Sequence, residues 1–136
     1  MQEKSIVAKV FIFNSEGQIL TLLRSQTVKN RPGTWDLPGG TVEFGEDPTD
    51  AVIRETKEEA NIDLKNVQVF ITKTTNEEKY VIRVLYYAHL DNPDISLSHE
   101  HDEYKWVTKD EFKDLNIPTK YKDCLQFFTK LEEQLL

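Results

Sequence analysis

Three glutamates, Glu55, Glu58 and Glu59, stand at the spacing that gathers side chains on one face of a helix. Like charges so placed destabilise an isolated helix by about 0.2–0.5 kcal/mol per pair, which calls for a compensating partner. A divalent cation is such a partner. Hard ions such as Mg²⁺ take oxygen ligands and often use only a few carboxylates, leaving positions for water and phosphate oxygens. The three belong to a wider acidic stretch. From Glu43 to Asp63 there are eight acids and two bases, Arg54 and Lys57, a net of 2 − 8 = −6 in a chain whose total is −7. Just ahead lies Leu37-Pro38-Gly39-Gly40, where glycine lets the main chain turn tightly and present a free carbonyl. Either feature alone is an ordinary surface. Joined at fixed spacing, they point to metal-assisted chemistry on an anionic substrate.

The glutamates need a helix. Asp47 is a good N-cap, Pro48 suits the first helical position and Asp50 adds negative charge to the first turn. The helix is predicted to run to about Ala60, with Asn61 as a left-handed stop. On its wheel Ile53, Thr56 and Ala60 face a sheet, Asp50, Arg54 and Lys57 face water, and the glutamates form a third face. Residues 4–13 and 18–24 read as strands of a hairpin about the turn Asn14–Gly17. A polar loop over 25–34 follows, and residues 35–46 are too rich in glycine and proline for a regular element. Residues 65–74 and 79–90 read as strands, 91–103 as a loop and 104–107 as a short strand. Thr108 and Glu111 form a capping box for a brief helix ending before Pro118. In a last helix, Tyr121, Cys124, Leu125, Phe128, Leu131 and Leu135 make an apolar stripe. Strands with helices to cover both faces imply the α/β class, an α/β/α sandwich around a mixed β-sheet, as one domain over 1–136.

Composition sets the outer limits. The chain has 136 residues, 38% of them apolar, including seven Phe, five Tyr and two Trp, enough for one core. No apolar run approaches the roughly 18 residues of a membrane span; the best, Ile6 to Phe13, is short and carries Lys9. Met1–Lys4 lacks the features of a signal peptide. The single Cys124 permits no internal disulfide, so a reducing, cytoplasmic setting is expected. The acidic balance argues against a nucleic acid polymer as partner.

Gly40, five residues, Glu46, seven residues, then Arg54-Glu55-Thr56-Lys57-Glu58-Glu59-Ala60-Asn61-Ile62 resembles the Nudix box of the MutT-like Nudix hydrolases. The sequence departs at Thr56, where an aliphatic residue is usual, and at Asn61, where Gly is usual. The flanking Trp35-x-Leu37-Pro38-Gly39-Gly40 and Trp106-Val107 also fit. The resemblance implies hydrolysis of a phosphoanhydride in a nucleoside diphosphate linked to another group, supported by Mg²⁺ or Mn²⁺. By position, Glu55, Glu58, Glu59 and the Gly39 carbonyl ligate metal. Gly40, Glu46 and Arg54 support the box, with Arg54 paired to Glu46.

The same resemblance places Glu55, Glu58 and Glu100 in the catalytic set. Glu55 and Glu100 are both candidates for the general base, with Glu103 as fallback. His99 and His101, flanking Glu100, are read as surface histidines. Arg24 matches a phosphate-binding position, Trp35 can stack on a base or fill core, and Tyr80 and Arg83 are further substrate contacts. Among substrates, a short single-domain chain favours nucleoside triphosphates, cleaved to monophosphate and pyrophosphate. The alternatives are dinucleoside polyphosphates, nucleotide sugars or ADP-ribose, or a non-catalytic nucleotide-binding regulatory module, which the intact box weakens. An isomerase acting on isopentenyl diphosphate would need a catalytic Cys, and Cys124 lies on the apolar stripe. The implied partner is a small nucleotide, with no membrane, in a monomer or a homodimer that Leu135-Leu136 could help form.

Overall fold

Alternation along β1 (Lys4–Phe13) decides the layering. Ala8, Val10 and Ile12 point to one side, and Phe11 and Phe13 to the other. In this computed structural model, which describes residues 4–76 and 78–128, each side is a separate core. Helix α1 (Pro48–Ala60) covers the first, bringing Ala51, Val52 and Ala60 against Leu20, Leu22 and Tyr86. Two shorter helices, α2 (Lys109–Asp114) and α3 (Thr119–Lys122), cover the second. There Phe128 stacks on Phe70 at 3.8 Å and meets Phe11 and Phe13 edge-on. The result is the expected α/β sandwich.

The sheet holds seven strands among the described residues. They are β1, β2 (Ile19–Arg24), β3 (Trp35–Asp36), β4 (Gly39–Thr41), β5 (Gln68–Asn76), β6 (Tyr80–His89) and β7 (His101–Val107). β1 lies parallel to β6 over ten registered pairs and the other pairings are antiparallel, so the sheet is mixed.

Four expectations are corrected here. The β1–β2 hairpin is registered only at Phe13↔Ile19; beyond it β1 takes β4, while β2 takes β3 and β7. The glycine- and proline-rich segment supplies β3 and β4, because Gly39 pairs with Lys9 where no side chain would fit. β7 starts at His101 rather than Tyr104, so Glu103 is a strand residue. In the last helix, a turn at 123–124 separates α3 from helical residues 125–128. Tyr121, Cys124, Leu125 and Phe128 are buried as predicted; Leu131, Leu135 and Leu136 lie outside the described residues.

Candidate active site

Where β1 and β2 part, residues 35–41 cross from one to the other. Val10 N–H donates to the Pro38 carbonyl at 3.0 Å, holding the crossing against β1. Helix α1 then delivers its glutamates to the same place. Asp47 caps Thr49 N–H at 2.9 Å, and Asn61, at φ +58°, ends the helix in the left-handed region. Past it, Ser98 and Ser96 N–H donate to the carbonyls of Glu59 and Ala60, each at 3.0 Å. These bonds pin the 91–100 loop to the helix end. Ser25 N–H, donating to the Glu100 carbonyl at 2.9 Å, holds the loop's far end to β2.

The elements enclose a cavity of about 340 Å³. Its lining carries both signs of charge: Asp36, Glu55, Glu59 and Glu100 with Lys9, Arg24, Arg31 and Arg83. Gly39 N–H donates to Glu59 Oε1 at 2.8 Å. Gly40 leaves room for Glu55: a Cβ there would lie 2.6 Å from the Glu55 carboxyl carbon. Arg54 forms a fork on Glu46, with Nε to Oε2 at 2.8 Å and Nη2 to Oε1 at 3.0 Å. Its Nη1 also reaches Glu55 at 3.1 Å and Glu58 at 3.3 Å. Arg54 is therefore turned inward onto acids rather than to water, correcting the wheel, and it offsets the repulsion the glutamates create. It holds the Glu46 carboxyl below the usual range.

Burial pushes the Glu59 carboxyl up to about 8, although Lys9 and the Gly39 N–H act the other way. Burial also raises Glu55, with the like charges of Glu58 and Glu100 adding to it and Arg54 opposing. His101 was expected at the surface and is 4% exposed. Burial pushes its imidazole down to about 4, and neither ring nitrogen has a hydrogen-bond partner. Its Nε2 lies 3.9 Å from Glu59 Oε2, too long for a hydrogen bond.

The family model of the NUDIX domain matches residues 3–128. The chain belongs to the Nudix family. Among similar proteins is the nucleoside triphosphatase NudI of Salmonella arizonae, 30% identical over 137 aligned positions, covering 89% of this chain and 94% of that one. Another is the asymmetrical bis(5'-nucleosyl)-tetraphosphatase of Caenorhabditis elegans, 43% identical over 83 residues. That match covers 55% of this chain, and the chain spans 59% of that relative's length. Of solved structures, a MutT protein from Methanosarcina mazei Go1 superposes with a TM-score of 0.84 at 29% identity, covering 96% of both chains. A C. elegans Ap4A hydrolase binary complex gives 0.80 at 29% identity, covering 96% of this chain and 98% of that one.

The donors of this Nudix site fit a hard divalent cation. Glu55, Glu59, Glu100 and the carbonyl of Gly39 all offer oxygen, and the charge of a cation would offset the desolvation that raises Glu55 and Glu59. Among the described residues, no three acidic, His or Cys side chains converge into a ligand set unaided. Backbone oxygen, water and substrate phosphate would complete the sphere, as Mg²⁺ sites commonly allow.

The structure brings Arg24, Gly39, Gly40, Glu55, Glu59, Arg83 and Glu100 to one cavity. Glu58 is exposed at its rim on Arg54, and Glu103 and His99 are exposed. Trp35 packs half-buried against the α2–α3 core, and Tyr80 sits at the start of β6; neither lines the cavity. A register shift between Leu23 and Arg24 re-aims the Arg24 side chain, whose Nε donates to the Asn30 carbonyl at 2.8 Å. Sequence reasoning missed Lys9, Arg31 and Asp36. Asp36 is fully buried and draws Lys9 at 3.2 Å, Arg24 at 3.4 Å and Arg31 at 3.5 Å. Arg31 holds φ +49° beside the site, an uncommon conformation for a residue with a Cβ. A usable signal existed: a lysine inside an apolar strand needs a buried acid.

Proposed function

We propose that this Nudix phosphoanhydride hydrolase cleaves nucleoside triphosphates to nucleoside monophosphate and pyrophosphate, with Mg²⁺ or Mn²⁺. The observation that carries the reading is one cavity lined by both Glu55, Glu59 and Glu100 and the guanidinium-bearing Arg24, Arg31 and Arg83. Guanidinium groups bind and orient the phosphate oxygens. Glu55, Glu58 and Glu59, with the Gly39 carbonyl, would hold the cation. When bound, the cation neutralises phosphate oxygens and makes the attacking water more acidic. Water adds to phosphorus, the bond to the leaving phosphate oxygen breaks, and the water's proton passes to a carboxylate. Glu100 and Glu55 both reach the cavity and are the candidates for that role. The match to NudI over most of both chains supports triphosphates.

Dinucleoside polyphosphates are a second reading, favoured by a specific feature. A neighbouring cavity of about 410 Å³ shares Arg83 with the first and is lined by Lys79 and Lys120, with Glu78 its acid. A longer anionic chain could cross Arg83 from one to the other, and the tetraphosphatase relative agrees with this. The test is a substrate panel with Mg²⁺: nucleoside triphosphates, diadenosine polyphosphates, ADP-ribose and nucleotide sugars, with products identified and Glu59→Gln run in parallel. Metal-dependent cleavage of triphosphates that drops about a hundredfold or more in the variant is expected. Preferred cleavage of diadenosine polyphosphates would move the assignment to the second reading. Nucleotide binding without cleavage of any substrate would overturn both.

A further inference from the structure

Lys9 is 6% exposed and stands on a strand between apolar neighbours. Its ammonium donates to Asp36 Oδ2 at 3.2 Å, to the Leu37 carbonyl at 3.1 Å and to the Gly39 carbonyl at 3.2 Å. All three of its protons are thus used, and all on Asp36, Leu37 and Gly39 of the crossing. Val10 N–H on the Pro38 carbonyl, the pairing of Asp36 with Leu22 and the burial of Leu37 hold the segment to the sheet, and Lys9 adds bonds at both of its ends. Gly39 donates its N–H to Glu59 Oε1, accepts from Lys9 at its carbonyl and lines the cavity.

We propose that Lys9 is a positioning residue, which fixes the orientation of the Gly39 peptide units and through them both the Glu59 carboxylate and the carbonyl that face the cation. This rests on the metal-site reading given above. A carbonyl oxygen has two lone pairs, so bonding to Lys9 leaves Gly39 able to ligate. The same strand alternation that puts Phe11 and Phe13 into the α2–α3 core puts Lys9 under the turn. A merely electrostatic role predicts the opposite effect on the cation, because a nearby ammonium repels it.

The test is Mn²⁺ binding by the whole protein, followed by electron paramagnetic resonance of free and bound ion, in Lys9→Met and Asp36→Asn. Both substitutions break the same buried ion pair, so both lose stability, and both are measured where circular dichroism reports a folded chain. Only Lys9→Met removes the bonds to Leu37 and Gly39. We expect at least a tenfold loss of Mn²⁺ affinity in Lys9→Met, the range seen when outer partners of metal ligands are removed, and less than about threefold in Asp36→Asn. If either single variant does not fold, Lys9→Met/Asp36→Asn, which removes both charges of the Lys9–Asp36 pair together, is expected to keep the Lys9→Met loss. Equal affinity in Lys9→Met and parent, or tighter binding, overturns the proposal, as does an equal loss in both single variants or parent-like affinity in the double. A parent that binds no Mn²⁺ would instead remove the metal-site reading beneath it.

Discussion

Adjacent glycines at the site should fail in different ways when each is given a methyl group. In Gly39→Ala the new Cβ would lie 2.1 Å from the Ala8 carbonyl oxygen and 2.8 Å from Lys9 Cα. Both are backbone atoms of β1, held by the ladder to β6. Gly39 also has φ +127°, where a residue with a Cβ costs about 1–3 kcal/mol before any overlap. Together these give a loss of at least about 4 kcal/mol, the range reserved for strained backbone and overpacked cores. At about 3 °C per kcal/mol, Tm should fall by roughly 12 °C or more. In Gly40→Ala the nearest atoms are the Glu55 carboxyl carbon at 2.6 Å and Oε2 at 2.7 Å, the far end of a flexible side chain. That side chain can swing away at little cost, so Tm should stay within about 3 °C. The carboxylate then leaves its place, and a displacement of about 1 Å costs on the order of a hundredfold in rate. Thermal denaturation and Mg²⁺-dependent pyrophosphate release measure the two quantities. Gly40→Ala/Glu55→Gln should be no slower than Glu55→Gln, because both changes act through one carboxylate. The reasoning is refuted if Gly40→Ala melts as low as Gly39→Ala, or if it stays folded and keeps parental activity.

Two further outcomes follow from buried polar groups. Thr56 Oγ1 is buried without a hydrogen-bond partner, so Thr56→Val, of equal shape, should stabilise by about 1 kcal/mol and raise Tm by roughly 3 °C, with activity unchanged; a lower Tm would mean the hydroxyl is satisfied in solution. Burial works to raise the Asp36 carboxyl, but Lys9, Arg31 and the Leu37 N–H outweigh it and hold it below the ordinary 3.8. Its contribution is therefore complete above that value and is lost as pH falls through the lower folded one. Asp36→Asn should cost about 3–5 kcal/mol at pH 7, where it strands the Lys9 charge. The gap to the parent in urea unfolding should narrow below about pH 4; a gap constant down to pH 2.5 would contradict it.

Helix α1 was legible because its signals are local. A cap at Asp47, a proline at the first turn, a periodic face and a left-handed stop at Asn61 all act within one or two turns. The capping box of α2 was legible for the same reason. The mixed sheet followed from the number of strands, but its split did not. Turn residues between β1 and β2 predict a hairpin, and nothing near them says that β2 will leave β1 after Phe13↔Ile19 and β4 take its place. Composition misled at residues 35–46, where glycine marks close approach of two backbones rather than the absence of a strand. At the helix, a wheel that sorts residues by polarity sent Arg54 to solvent, although four nearby acids give an arginine better partners than water.

The residues missed altogether share a property that sequence carries only in pairs. Lys9 alone reads as an interruption of an apolar run, and Asp36 alone reads as one polar position in Trp35-Asp36-Leu37-Pro38. Neither charge can be buried singly without a cost of several kcal/mol, so each implies the other, 27 residues away. Burying such a pair adds little stability over apolar residues of the same size, which leaves its retention to be explained by position. Here the position is beneath the turn that meets Glu59, and the same Asp36 holds Arg24 and Arg31, which line the same cavity. One buried carboxylate thereby ties the Gly39 turn, through Lys9, to the guanidinium groups of Arg24 and Arg31. A change at Asp36 should disturb phosphate recognition even where the glutamates and their cation are intact.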